Sequence, residues 1–193
     1  RSDVIASTVW AMPSWQRHAK LGVLTAGFGV YMELGMIGLG RMGANMAERL
    51  VRGGHRAVGF DPGTEARALA ASKGIEPVTS LEALVAALPT PRRLWIMVPA
   101  GQPVDDTLAR LLPLLAPGDT VVEGGNSFYK DTMRRGEMLA AQGIHYVDCG
   151  TSGGVWGLAE GYSLMIGGDV AAVDALTPLF ATLAPAADRG WAR

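Results

Sequence analysis

Between Gly35 and Gly54 the chain reads GMIGLGRMGANMAERLVRGG, where a short apolar run breaks into a G-x-G-x-x-G pattern and then turns helical. No other stretch restricts the fold as much. Residues 34–38 (LGMIG) read as a buried strand ending in glycine, and Met42, Met46 and Leu50 then recur at four-residue spacing. Arg49 and Arg52 fall in the last turn of that helix and Gly53-Gly54 stop it, as the macrodipole and C-cap preferences expect. Downstream the chain keeps alternating. Residues 56–60 (RAVGF), 93–98 (RLWIMV), 119–124 (DTVVEG), 144–148 (IHYVD) and the LMIGGD run read as strands. Helices fall between them at 64–74 with Thr64 as N-cap, 80–88 with Ser80 as N-cap, 104–115 and 131–143, with a last helix in AAVDALTPLFATLAP. Strands that are apolar almost throughout are buried on both faces, which points to a parallel sheet covered by helices. The expected fold is α/β, a Rossmann-type doubly wound sheet, mainly parallel, with helices on both faces.

At 193 residues the chain fits one domain, or one domain with loose ends. Residues 1–31 sustain neither a helical nor an alternating period and are expected to be an irregular leader outside the fold. Their basic patch, Arg17, His18 and Lys20, is not N-terminal and no A-x-A-like site follows, so a targeting signal is disfavoured. Met32 is the natural start of the domain, which then runs over 32–193. With 18% charged residues and a net charge of -1, the surface is not built to attract polyanions, so neither nucleic acid nor an anionic membrane is an expected partner. The single cysteine, Cys149, permits no disulfide framework, and a reducing cytoplasm is the expected compartment.

The strand–glycine–helix context gives the glycines a job. Gly38 allows the tight turn, Gly40 lets backbone approach a pyrophosphate, and Gly43 lets helix pack close on strand, while the helix N-terminus offers N–H groups to phosphate. Asp61 ends the second strand about 20 residues further on, where the dinucleotide fingerprint asks for a carboxylate. Such a carboxylate accepts bonds from the adenosine ribose hydroxyls and repels a 2′-phosphate, and Pro62 beside it adds no cation. NAD is therefore favoured over NADP, with Arg67 one helical turn on and able to reach back and soften the choice. Two more glycine-rich stretches, EGGNSFYKDTMRR at 123–135 and DCGTSGGVWG at 148–157, leave strands at the ligand-binding edge. They offer Asn126, Ser127, Ser152 and the backbone of Gly153 and Gly154 to a polar ligand.

Taken together, MIGLGRMGANMAERL, VPAG at 98–101, GGNSFYKDTMRR and DCGTSGG...GYSLMIGG resemble 6-phosphogluconate dehydrogenase, from Met32 to the C-terminus. The glycine-rich start and S-G-G loop are shared with the wider β-hydroxyacid dehydrogenases, whereas G-N-S-x-Y-x-D-T-x-R-R discriminates more. Asp61 and TSGGVWG suggest the shorter, NAD-preferring branch. The resemblance implies that Gly38, Leu39, Gly40, Arg41, Met42 and Gly43 line the pyrophosphate and that Asp61 holds the ribose. It further implies that Val98, Pro99, Ala100 and Val104 flank the adenine or nicotinamide side and that Asn126 sits where nicotinamide meets substrate. Ser152, Gly153 and Gly154 would bind the carboxylate and hydroxyls of 6-phosphogluconate. Where longer members carry an acid after S-G-G this chain has Val155, so that contact is not carried over.

The reaction so implied is oxidation at C3 of 6-phosphogluconate, loss of C1 as carbon dioxide and release of ribulose 5-phosphate, in the pentose phosphate pathway. Its base and acid are a lysine and a glutamate in a stretch resembling G-H-F-V-K-M-V-H-N-G-I-E-Y, which this sequence lacks. The expectation is a cofactor half with part of the substrate cleft, no catalytic residue, and without the helical domain through which longer members form homo-oligomers. Lys73 and Lys130 are outside the family's motif and take no catalytic role. Cys149 reads as a buried thiol, Met165 as core, and His18, His55 and His145 lack metal-ligand spacing. Two other readings stand beside this one: a related β-hydroxyacid dehydrogenase such as 3-hydroxyisobutyrate dehydrogenase, which GGNSFYKDTMRR argues against, and a non-catalytic NAD-binding module.

Overall fold

The computed structural model describes residues 30–186, so the expected leader lies, except for its last two positions, outside the described residues. The chain starts with β1 (Glu33–Ile37), α1 (Arg41–Arg52) and β2 (Arg56–Phe60), whose strands pair in parallel with Glu33 opposite Arg56. Then come α2 (Thr64–Ser72), β3 (Glu76–Val78), α3 (Leu81–Ala86) and β4 (Arg93–Ile96). The second half runs α4 (Gln102–Leu111), β5 (Thr120–Glu123), α5 (Tyr129–Ala140), β6 (His145–Ser152) and α6 (Gly157–Glu160). It closes with β7 (Ser163–Gly168), α7 (Val170–Ala175) and α8 (Thr177–Leu183).

All seven strands join one sheet in the order β3-β2-β1-β4-β5-β6-β7. Only β7 is antiparallel, pairing Gly150 with Met165. The order reverses between β1 and β4, and in an open α/β sheet a ligand crevice forms outside the strand ends at that switch. Strand alternation splits the core in two. Met36, Trp95, Val122 and Val147 face α1 and α8, where Met46, Leu50 and Phe180 cover them. Ile37, Val58, Ile96 and Val121 face the other way, under Leu84, Leu108 and Leu139. This is the doubly wound arrangement that the apolar strand runs imply.

Three local expectations are corrected and one strand went unread. Gly63, not Thr64, caps α2, because the Asp61 side chain takes the Gly63 N–H at 2.8 Å and fixes the turn one residue earlier. Strand β3 gave no apolar signal, being three residues long with Glu76 and Pro77 exposed. The last helix is two, broken at Leu176, with Pro178 in the first turn of α8 where its missing N–H costs nothing. Met165 is 73% exposed rather than core, since β7 presents its odd residues to the uncovered side of the sheet. Ser80 does cap α3, accepting the Ala83 N–H at 3.1 Å.

The first and last described helices are stitched together. Arg49 of α1 donates to the carbonyls of Thr182 at 2.9 Å, Leu158 at 3.1 Å and Ala184 at 3.0 Å, filling C-terminal acceptors of α6 and α8. His55 accepts the Met32 N–H on Nδ1 at 3.2 Å, so its proton sits on Nε2, 2.8 Å from the Thr182 hydroxyl oxygen. Burial lowers its pKa, in keeping with this neutral tautomer.

Candidate cofactor site

At the β1–α1 turn each glycine has a separate reason. Gly38 adopts φ 91°, and a Cβ on it would lie 2.4 Å from the Met97 carbonyl oxygen. A Cβ on Gly43 would lie 2.0 Å from the Gly38 carbonyl oxygen, so helix and turn touch through backbone. Gly40 differs from both: a Cβ there meets nothing within 4 Å. It borders open space at the start of α1, where the first helical bond is Ala44 N–H to Gly40 C=O at 2.9 Å. The preceding N–H groups at 41–43 make no intrahelical bond, which is the standard means of receiving phosphate.

That open space is a groove of about 360 Å³ at the strand switch, within the size range of small-molecule sites. Gly38, Gly40 and Asp61 form one side; Pro103, Thr107 and Arg110 of α4 form the other. Asp61 grips the turn as well as facing the groove. Its Oδ2 accepts the Leu39 N–H and its Oδ1 the Gly63 N–H, both at 2.8 Å. Each carboxylate oxygen keeps a second lone pair for a ligand hydroxyl. Arg67 does reach back, donating to the carbonyls of Asp61 at 2.6 Å and Pro62 at 2.9 Å.

Further along the same edge, two loops are pinned to each other. Asn126, at φ 56°, accepts the Thr151 N–H at 3.0 Å and donates to the Thr151 carbonyl at 3.2 Å, making its amide a surrogate strand rung. Thr151 leads directly into Ser152, Gly153 and Gly154. Behind them Glu123, fully buried, accepts the Gly125 N–H at 2.6 Å. Asp148 stands opposite Glu123 in the β5–β6 register, and burial, with Glu123 beside it, pushes its carboxyl up to about 6. Burial likewise pushes the Cys149 thiol up to about 12, which leaves it unreactive as a nucleophile. Among the described residues, no group of three or more His, Cys, Asp or Glu could hold a metal ion, and no helix is long and apolar enough to cross a membrane.

Residues 33–190 match the family described as the NAD binding domain of 6-phosphogluconate dehydrogenase. The chain belongs to this family. It is 48% identical over 157 residues to the NAD(+)-dependent, decarboxylating 6-phosphogluconate dehydrogenase of Haloferax volcanii, covering 81% of this chain and 52% of that protein. The decarboxylating 6-phosphogluconate dehydrogenase of Synechococcus elongatus is 41% identical over 163 residues, 82% of this chain and 35% of that protein. This chain thus spans about half of the first relative and about a third of the second. Among solved structures, Plasmodium falciparum 6-phosphogluconate dehydrogenase superposes with TM-score 0.76 at 25% identity, over 80% of this chain and 34% of that one. The 3-hydroxyisobutyrate dehydrogenase of Mycobacterium tuberculosis gives 0.73 at 28%, over 79% and 52%.

Within this domain the expected site residues separate into groups. Gly38, Gly40, Asp61, Val98 and Pro99 border the groove. Gly43 packs beneath it, Arg41 is exposed and Met42 half-buried on the first turn of α1, and Ala100 is exposed just before α4. Two of them lie back from the groove surface. The Leu39 side chain is in the core and only its backbone faces Asp61, and Val104 is fully buried with Leu108 and Leu111 rather than at the groove. What the sequence reading missed is the adjacent face of α4, where Pro103, Thr107 and Arg110 follow i, i+4, i+7 spacing. Gly153 has a packing role, since a Cβ there would lie 2.7 Å from the Tyr162 ring, while Gly154, at φ 47°, faces open space.

Proposed function

We propose that this chain binds NAD and forms the cofactor half of an oxidoreductase that oxidatively decarboxylates 6-phosphogluconate. One observation carries the reading: Gly40 is open at the α1 N-terminus, in a groove whose rim holds Asp61. Pyrophosphate fits where a side chain at position 40 would sit, and unbonded N–H groups and the helix dipole favour its charge. Asp61 takes the adenosine ribose hydroxyls, and its charge disfavours a 2′-phosphate, so NAD is preferred to NADP. Bound NAD supplies the hydride acceptor. The chain's own residues then orient the substrate: Asn126 fixes the loop carrying Ser152, Gly153 and Gly154, whose hydroxyl and N–H groups receive the sugar-acid carboxylate and hydroxyls. No residue of this chain is assigned the acid or base role. The pentose phosphate pathway and a cytoplasmic location belong to the same proposal, supported by the decarboxylating dehydrogenase names of the relatives.

Calorimetric titration of the chain with NAD, and separately with NADP, tests the reading. Saturable binding that favours NAD is expected. A folded chain that binds neither overturns it. Asp61→Asn should weaken NAD by about tenfold and narrow its advantage over NADP, the scale of one charged hydrogen bond; unchanged affinities for both remove Asp61 from the site.

A further inference from the structure

We propose that Arg135 is a positioning residue that holds the cofactor groove and the substrate loop in fixed register; the inference rests on the cofactor reading above. Arg135 lies on α5 and is fully buried. A guanidinium without solvent is tolerated only when its donors are satisfied, and here the acceptors from Asp105, Gly101 and Ser127 lie at the ligand edge, with Tyr146 of β6 a further electrostatic partner. Nε and Nη2 grip both oxygens of Asp105, at 2.9 Å and 3.1 Å. Nη2 also donates to the Gly101 carbonyl at 3.1 Å. Nη1 donates to the Ser127 hydroxyl at 2.9 Å, with a Glu123 oxygen 3.7 Å away.

Those partners end two neighbouring crossovers. Gly101 and Asp105 set the start of α4, the helix whose Pro103, Thr107 and Arg110 wall the groove. Ser127 follows Asn126, whose amide holds Thr151. Hydrogen bonds from Arg135 to the start of α4 and to Ser127, the covalent step to Asn126, and the Asn126–Thr151 bonds thus connect the groove wall to the loop bearing Ser152. The two sides nearly touch at Gly125, where a Cβ would lie 2.8 Å from the carbonyl oxygen of the groove residue Val98. Replacing a buried ion pair by apolar side chains is often neutral or stabilising, so stability alone gives little reason for a charge here. A planar fork with fixed angles does what an apolar residue cannot, which is to specify the relative placement of four groups.

The test compares NAD with AMP, which occupies only the adenosine end, in the wild type, Arg135→Lys, Ser127→Ala and the double variant, with thermal melts alongside. Lysine keeps the charge and cannot bridge the partners. Ser127→Ala leaves the Asp105 pairing, and therefore α4, in place and removes only the link to the substrate loop, so the question survives if Arg135→Lys does not fold. Each single change is expected to weaken NAD about tenfold with AMP held within about twofold, and the double variant to be no weaker than Arg135→Lys alone. A merely structural role moves the melting temperature, or both ligands together. An unchanged NAD to AMP ratio in a folded Ser127→Ala variant, or additive losses in the double variant, overturns the proposal. Wild-type chain that binds neither ligand overturns the cofactor reading and this one with it, whereas wild-type binding with unmoved variants removes Arg135 alone.

Discussion

Gly40 shows how much a single residue decides. Its φ of -61° suits any residue and its Cβ direction is open, so Gly40→Val should change stability by less than about 1 kcal/mol while filling the space proposed above for pyrophosphate. Loss of NAD binding with a preserved melting temperature is expected; retained binding would remove the turn from the site. Asp148 gives a pH signature. Its folded pKa of about 6 is above the ordinary carboxylate value, so the folded chain binds more protons than the unfolded one between about pH 4 and pH 6. Stability therefore falls as pH rises through that window. Asp148→Asn should stabilise by on the order of 2 kcal/mol at pH 7 and by almost nothing at pH 4, and a gain independent of pH in denaturant melts would contradict the assignment. Asp61 was legible in the sequence because a fingerprint spacing points to it. Its double grip on Leu39 and Gly63 was not, since the Leu39 bond spans 22 positions and exists only once β1 and β2 are paired. Arg135 was equally hidden: nothing in D-T-M-R-R says which arginine turns inward, and the structure buries the second while leaving Arg134 half-exposed.

At the scale of elements, periodicity did most of the work where helices are long. In α4 the buried Val104, Leu108 and Leu111 and the groove residues Pro103, Thr107 and Arg110 are adjacent helical stripes one residue apart. The resemblance sets Val104 beside the cofactor, whereas the period sets its side chain among the buried residues of α4. Short elements carry less signal. Three-residue β3 borrows its order from β2, with Val58 opposite Glu76, and no local pattern announces such a strand. Likewise the α7–α8 break turns on a single proline in an otherwise helical run. Caps are the local feature most directly testable. Ser80→Ala removes the acceptor for the Ala83 N–H and should cost about 1 kcal/mol, seen as a lower urea midpoint with an unchanged slope; an unmoved midpoint would mean the bond contributes nothing.

The whole described molecule is one sheet with a core on each face, and both cores use the same central strands: Met36 and Ile37 of β1, Trp95 and Ile96 of β4. Neither layer can melt and leave the other intact. Denaturation followed by far-ultraviolet circular dichroism and by tryptophan fluorescence should therefore give coincident transitions; separated curves would reveal two independent units. The doubly wound class was legible because the order of apolar runs survives in sequence, whereas the antiparallel turn of β7 depends on pairing with β6 that no local pattern encodes. The Arg49 clamp carries an implication for how the chain is made. Arg49 is translated before its partner carbonyl at Thr182, which emerges 133 positions later, and Trp95 likewise waits for Phe180, which meets it edge-on at 5.8 Å. On a ribosome the β1–α1 turn is made well before the helix that locks it, so the growing chain carries an uncovered apolar face while the intervening residues are made.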